Sequence, residues 1–228
     1  MNKNTFYIGF DFSINKPAAV ICHEGKLYYY FWPRDMKEQH LQKYRDCGVR
    51  VVSRGLPPVN KKSIESSQLV LIHTIRSTDL ANLILKDIDD FIQEHKDDDE
   101  FELYIATEGL SYSSKGDATL NLATYKGVLL SKIYEHYGDS LKRLFTYSPM
   151  TMKRHAGCSA NEYRSEKRPM IKAYLNEPLT SPLKQAIKEG KMTLSTNFVD
   201  GVDDLIDAYW AFQTMIRENH YKVVIKNG

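Results

Sequence analysis

Apolar and polar positions alternate from the start of the chain. In TFYIGFDF, Phe6, Ile8 and Phe10 take one parity and Tyr7 and Gly9 the other, the period of a strand. AAVICHE and KLYYYFW repeat the signal, and His23-Glu24-Gly25 turns the chain between them, so the opening reads as a three-stranded antiparallel meander. From Pro33 to about Lys62 the periodicity fades. Gly55 and Pro57-Pro58 punctuate this stretch, which predicts a long connection. Leu69, Ile72, Ile75, Leu80, Leu83, Ile84, Ile88 and Phe91 then recur at helical spacing. KDDDE at 96–100 reads as a solvated turn, and FELYIA at 101–106 as a fourth strand, followed at once by Thr107-Glu108-Gly109. TLNLATYKGVLLSKIYEHYG predicts a helix ended by Gly138, and RLFTYSP a fifth strand stopped by Pro149. Helical pieces around 167–176 and 182–189 precede a last helix from about Asp200 to Asn219. The fold class is therefore α/β, with a mixed five-stranded sheet flanked by helices. No internal repeat interrupts it, so 1–228 is expected to form a single domain with an insertion at about 33–65.

Composition changes this picture little. The 228 residues are 42% hydrophobic and 26% charged, ordinary for a globular chain with a full core. Cys22, Cys47 and Cys158 lack metal-ligand spacing, which argues against a zinc site or a disulfide framework. The opening residues do not resemble a leader, and no uncharged run could span a bilayer, so the expectation is a cytoplasmic protein without membrane contact. Charge is more informative once divided along the chain. Residues 142–191 hold eleven Lys/Arg against four Asp/Glu, and residues 33–62 hold eight against three. With a net charge of +2 overall, two basic segments sit on an otherwise acidic body. That pattern suits a polyanionic partner, although solvated basic loops would give it too.

Asp11 breaks an apolar run, on the parity opposite Phe10 and Phe12. A buried carboxylate needs compensation, from a turn that it caps or from a cation. If the first and fourth strands are neighbours, Glu108 reaches the same end of the sheet. The last helix, in FVDGVDDLIDAYWAF, adds Asp204 and Asp207, three apart and on one side. Asp200 and Asp203 read as cap and first-turn residues. An acidic helix start facing water is the plain alternative for all four. Asp207 argues against it, because Ala208-Tyr209-Trp210-Ala211-Phe212 beyond it is apolar on every side. Carboxylates gathered at one point repel, and hard oxygen ligands describe a Mg²⁺ site. Two such ions about 4 Å apart can drive phosphodiester hydrolysis, which is chemistry on a polyanion.

The ordered set GFDFS, ATEG and DLIDAYWA resembles the RuvC-type Holliday junction resolvases of the RNase H-like nuclease superfamily. SPMTMKRHAGCSANEYRSEK adds a fourth segment, with Pro149, Lys153, Gly157 with Ala160, and Lys167 in the family's order, the gap before Lys167 being longer than the family's. The four segments run from residue 8 to about 212. The resemblance implies an RNase H-like fold and a crossover junction endodeoxyribonuclease. Asp11, Glu108, Asp204 and Asp207 would be its acidic tetrad, with Asp203 as the alternative fourth carboxylate. It implies Mg²⁺, with Mn²⁺ able to substitute, as two ions per site. Lys153 would act beside the scissile phosphate, and Lys115, Lys153, Arg154, Lys167 and Arg168 would face DNA. A homodimer would nick a four-way junction symmetrically, with the helix at 119–137 as a dimer element. The turn Gly157-Cys158-Ser159-Ala160 lacks the family's usual second glycine, and the insertion is extra relative to compact bacterial members. The insertion suits a phage or virus variant working in a host cytoplasm. Two other readings stay open: a broader flap, fork or branch nuclease, and a DNA-binding protein without catalysis. An actin-like ATPase is disfavoured, because a second phosphate-binding Asp-Gly hairpin is missing.

Overall fold

The opening alternation folds into antiparallel strands β1 (Thr5–Asp11), β2 (Ala18–His23) and β3 (Lys26–Phe31). The computed structural model describes residues 4–55, 65–97, 100–109, 117–158, 168–194, 197–223 and 225–226. After β3 the basic connection is more ordered than its sequence suggests. It forms helix α1 (Glu38–Asp46) and a short strand, β4 (Val49–Val51), parallel to β3. Three residues are too few to show a period of two, so only the exposed edge of β3 specifies this strand. Helix α2 (Ser66–His95), β5 (Glu102–Glu108), α3 (Asp117–Tyr137) and β6 (Leu141–Tyr147) follow. The chain then forms α4 (Pro149–His155), α5 (Arg168–Asn176), α6 (Pro182–Lys188), the two-residue strands β7 (Thr193–Leu194) and β8 (Asn197–Phe198), and α7 (Val202–Glu218).

The main sheet has the order β4-β3-β2-β1-β5-β6, six strands where five are expected from sequence, the extra one being β4. β5 pairs parallel with β1 and β6 parallel with β5, so every strand but β2 points the same way. Phe6, Ile8, Phe10, Leu103 and Ile105 pack under α2 and α3 on one face. On the other face Tyr7, Tyr104 and Ala106 meet α7. Helix α7 is buried almost all round, as its sequence demands, and the polar tips of its two large aromatic side chains are satisfied. Trp210 Nε1 donates to the Met170 carbonyl at 3.1 Å, and Tyr209 Oη to Glu177 Oε2 at 3.2 Å. Two glycines let α7 lie so close. A Cβ on Gly9 would stand 2.2 Å from the Ala208 carbonyl oxygen, and one on Gly201 would strike the Phe31 ring. Gly201 also has φ +101°, a left-handed conformation natural only to glycine, and it caps α7. The cap is therefore Gly201 and not Asp200, whose carboxylate pairs with Lys16. Among the described residues no helix is long and apolar enough to cross a membrane.

Candidate active site

Asp11 and Glu108 are the last residues of β1 and β5. The parallel register matches Gly9 with Ala106 and Phe10 with Thr107, so one step further the two carboxylates stand side by side. Adjacent strands lie about 4.8 Å apart. Glu108 closes its strand rather than following it. Parity then fixes direction: Asp11 shares the face of Tyr7 and Gly9, and Glu108 that of Tyr104 and Ala106. Both therefore belong to the face crossed by α7. Asp11 is buried and Glu108 half-buried.

Helix α7 brings its aspartates to the same end. It runs opposite to β1, from Gly201 against Phe31 down to Glu218, and just beyond it the Tyr221 ring packs 5.5 Å from that of Tyr7. Ala208 lies over Gly9. Four residues back along the helix is about 6 Å, and two residues up β1 is about 6.6 Å. Asp204 thus stands level with Asp11. Asp204 is buried, and Asp203 and Asp207 are half-buried.

Each set of carboxylates is faced by a lysine that the sequence did not single out. Lys126, buried on α3, donates to the main-chain oxygen of Glu108. Burial lowers its pKa, offset in part by the fields of Glu108 and Asp11. Lys16, on the loop after β1, answers the α7 set. Burial opposes its charge, but the bond to Asp200 and the fields of Asp204, Asp200 and Asp203 outweigh this and raise its pKa. Tyr44 of the insertion helix adds a neutral wall. Its hydroxyl donates to the Asp200 carbonyl at 2.8 Å, and its pKa is pushed far up by burial, then by Asp204, Asp203 and Asp200.

The donor set is all oxygen, the kind that suits Mg²⁺ or Mn²⁺. As the side chains stand, no group of three or more described His, Cys, Asp and Glu is gathered to hold an ion. The strand pair and the α7 set share one end of the sheet as two neighbouring groups. Lys153 is half-buried on α4, which packs against α7. Arg154, next to it, reaches Glu218 Oε1 at 3.0 Å, fourteen residues and about 21 Å along α7 from Asp204. Arg168 opens α5. Lys115 and Lys167 lie outside the described residues.

A meander of three strands continued by two parallel ones, with a helix across one face, is the strand arrangement of an RNase H-like α/β fold. No family model matches the sequence, and no curated protein matches it. Among solved structures the chain is similar to Thermus thermophilus RuvC, with 9% identity and a TM-score of 0.48 over 94% of this chain and 96% of that one. It is also similar to T. thermophilus RuvC in complex with Holliday junction substrate, with 9% identity and a TM-score of 0.48 over 96% and 97%.

Proposed function

We propose that this protein is a metal-dependent endonuclease that resolves four-way DNA junctions by paired nicks. The observation that carries the reading is the pair Asp11 and Glu108 at neighbouring strand ends, with Asp204 level with Asp11 on the helix above. Asp11, Glu108, Asp204 and Asp207 would hold Mg²⁺ or Mn²⁺, which when bound supplies an activated water and neutralises charge on the leaving oxygen. The chain's own contributions are distinct. Lys126 fixes the main chain of Glu108, and Gly9 and Gly201 seat α7 at the height where its aspartates meet the strand ends. The reading assigns Lys153 to the scissile phosphate and Lys115, Arg154, Lys167 and Arg168 to the DNA backbone. It treats residues 1–228 as one domain with its insertion at about 33–65. It further requires a homodimer, one site per strand, as the two-fold symmetry of a junction suggests. Support for that comes from Val70, Leu71 and Ile75 on α2 and Leu120 on α3, apolar and 52–68% exposed. These helices run side by side in one direction, as the His73–Tyr125 and Asp89–Tyr137 contacts show.

The test is cleavage of labelled four-way, three-way, flap and linear DNA with Mg²⁺, Mn²⁺ or Ca²⁺. Paired, ligatable nicks in junctions with Mg²⁺ or Mn²⁺, binding without turnover in Ca²⁺, and elution as a dimer are expected. Asp11→Asn, Glu108→Gln and Asp207→Asn should each abolish cleavage and keep junction binding. A monomer that cuts flaps as fast as junctions would leave a general branch nuclease. Full activity in any of the three variants would remove that residue from the site.

A further inference from the structure

Helix α1 of the insertion is tied to a part of the chain far from it in sequence. Three of its residues, Lys43, Tyr44 and Cys47, engage the β7–β8 hairpin that leads into α7. Lys43 Nζ donates to Lys191 O at 2.8 Å, and Cys47 Sγ lies 3.7 Å from Met192 Sδ, both just before β7. Just after β8, Tyr44 Oη donates to Asp200 O at 2.8 Å, with Val199 O a longer acceptor at 3.4 Å. Val199 N in turn donates to Met192 O at 2.8 Å, which joins the two feet of the hairpin. One helix therefore grips both feet.

The grip carries on into α7. The Tyr44 ring lies 4.9 Å from that of Phe31, centroid to centroid, and Phe31 is the ring against which Gly201 sits. Lys16 takes the carboxylate of Asp200. Residue 200 is thus fixed through its main-chain oxygen by α1 and through its side chain by the loop after β1. Leu205 N donates to Gly201 O at 3.2 Å, so the helix starts at the very next residue. Asp204 stands four residues, about 6 Å, beyond the fixed point, and Asp203 three. Tyr44 is fully buried, where its hydroxyl needs an acceptor. The acceptor it has is the main chain that opens the aspartate-bearing helix.

The basic character of the insertion has a use within the fold. Arg34 pairs with Asp35, Arg45 with Glu38, and Arg50 with Glu94 and the Tyr30 hydroxyl. Arg54 donates to Trp32 O and Ile14 O, and Lys43 to Lys191 O. These cations attach the insertion to the body of the protein. Resting on the nuclease reading above, we infer that the insertion braces the metal site. Helix α1, with Tyr44 as its positioning residue, holds the turn at Val199 and Asp200 and so sets where Asp203 and Asp204 present their carboxylates to a divalent cation.

The experiment is calorimetry of Mn²⁺ binding to the DNA-free chain, paired with Mg²⁺ titrations of junction cleavage and with thermal melting. The chains are wild type, Tyr44→Phe, Lys43→Met and Tyr29→Phe. Tyr44→Phe keeps the ring and removes the donor, so Mn²⁺ should bind about tenfold more weakly or worse. The Mg²⁺ midpoint for cleavage should rise by a similar factor. Lys43→Met, at a half-exposed position that tolerates the change, removes the second tie alone and should shift both readings the same way by about threefold. Tyr29→Phe loses a buried tyrosine hydrogen bond of similar length, 2.9 Å to the Tyr174 hydroxyl, that does not touch the turn. It should melt lower and keep the wild-type Mn²⁺ affinity. If Tyr44→Phe and Lys43→Met behave like Tyr29→Phe, with Mn²⁺ affinity unchanged, α1 is only packing; the brace is overturned and the nuclease stands. A wild-type chain that binds no Mn²⁺ and cuts no DNA would remove the nuclease reading, and the brace with it.

Discussion

Gly9→Ala isolates the contact on which the whole site depends. The added Cβ would lie 2.2 Å from Ala208 O, 2.5 Å from Phe212 N and 2.7 Å from Phe212 Cβ. Ordinary contacts of this kind begin near 3.4 Å. Two of the three atoms are helix backbone, so no side chain can turn away, and α7 must retreat by about 1 Å or more. Overpacking a core typically costs about 1–3 kcal/mol, and a rigid backbone neighbour places this variant at the upper end. For a chain of this size 1 kcal/mol moves the melting temperature by about 2–4 °C, so a fall of about 6–12 °C is expected. The same retreat lifts Asp204 and Asp207 away from Asp11 and Glu108. A misplacement of about 1 Å can lower a rate by about a hundredfold, and cleavage should fall by that order while DNA affinity holds. The assays are thermal melting, single-turnover cleavage and DNA binding on one preparation. A variant that melts within a degree of the wild type and cuts at its rate would show that α7 does not rest on β1 at Gly9, and the derived level of Asp204 would go with it.

Gly127→Ala is the opposite case: the site is exposed, helical and has nothing within 4 Å of a new Cβ. It should stabilise the chain by about 1 kcal/mol, seen as a rise of about 2–4 °C in melting temperature. Lys126→Met removes the buried ammonium that holds Glu108 while keeping its apolar stem. Cleavage should drop at least about tenfold with junction affinity within about twofold; an unchanged rate would make Lys126 a core residue only. Glu218 answers to acid: the His155 bond holds its carboxyl below the ordinary value of 4.5, with Arg154 adding to this against burial. A depressed carboxylate contributes stability above its unfolded pKa and loses it as pH falls through the folded value. Urea midpoints from pH 6 to pH 3 should therefore fall more steeply below about 4.5 for the wild type than for Glu218→Gln, and parallel curves would refute the coupling.

What could be read from the sequence follows the reach of each signal. β1, β2, β3 and β5 announce themselves because their alternation is written in consecutive residues, and the same parity placed Asp11 opposite Phe10. The helix α4 carries a local signature, Ser148 capping Thr151 N with Pro149 in the first turn, but seven residues are too few for a period, and Pro149 read as a stop. β4 has no local signature, since its pairing is decided by β3. Asp200 looked like a cap because its side-chain type favours that role, yet the close approach of Phe31 admits only glycine at the next position. Lys126 was hidden for a related reason. A lysine beside Gly127 in an amphipathic helix reads as a solvated residue, and only the ends of β1 and β5 make it a buried one. Residues acting through their own segment were visible, and those acting through a partner segment were not. The carboxylates belong to the first kind because Asp11 and Glu108 end their own strands and Asp204 and Asp207 lie in the first turns of their own helix. The cations that face them belong to the second, which is why the acidic half of this site could be proposed from sequence and the basic half needed the fold.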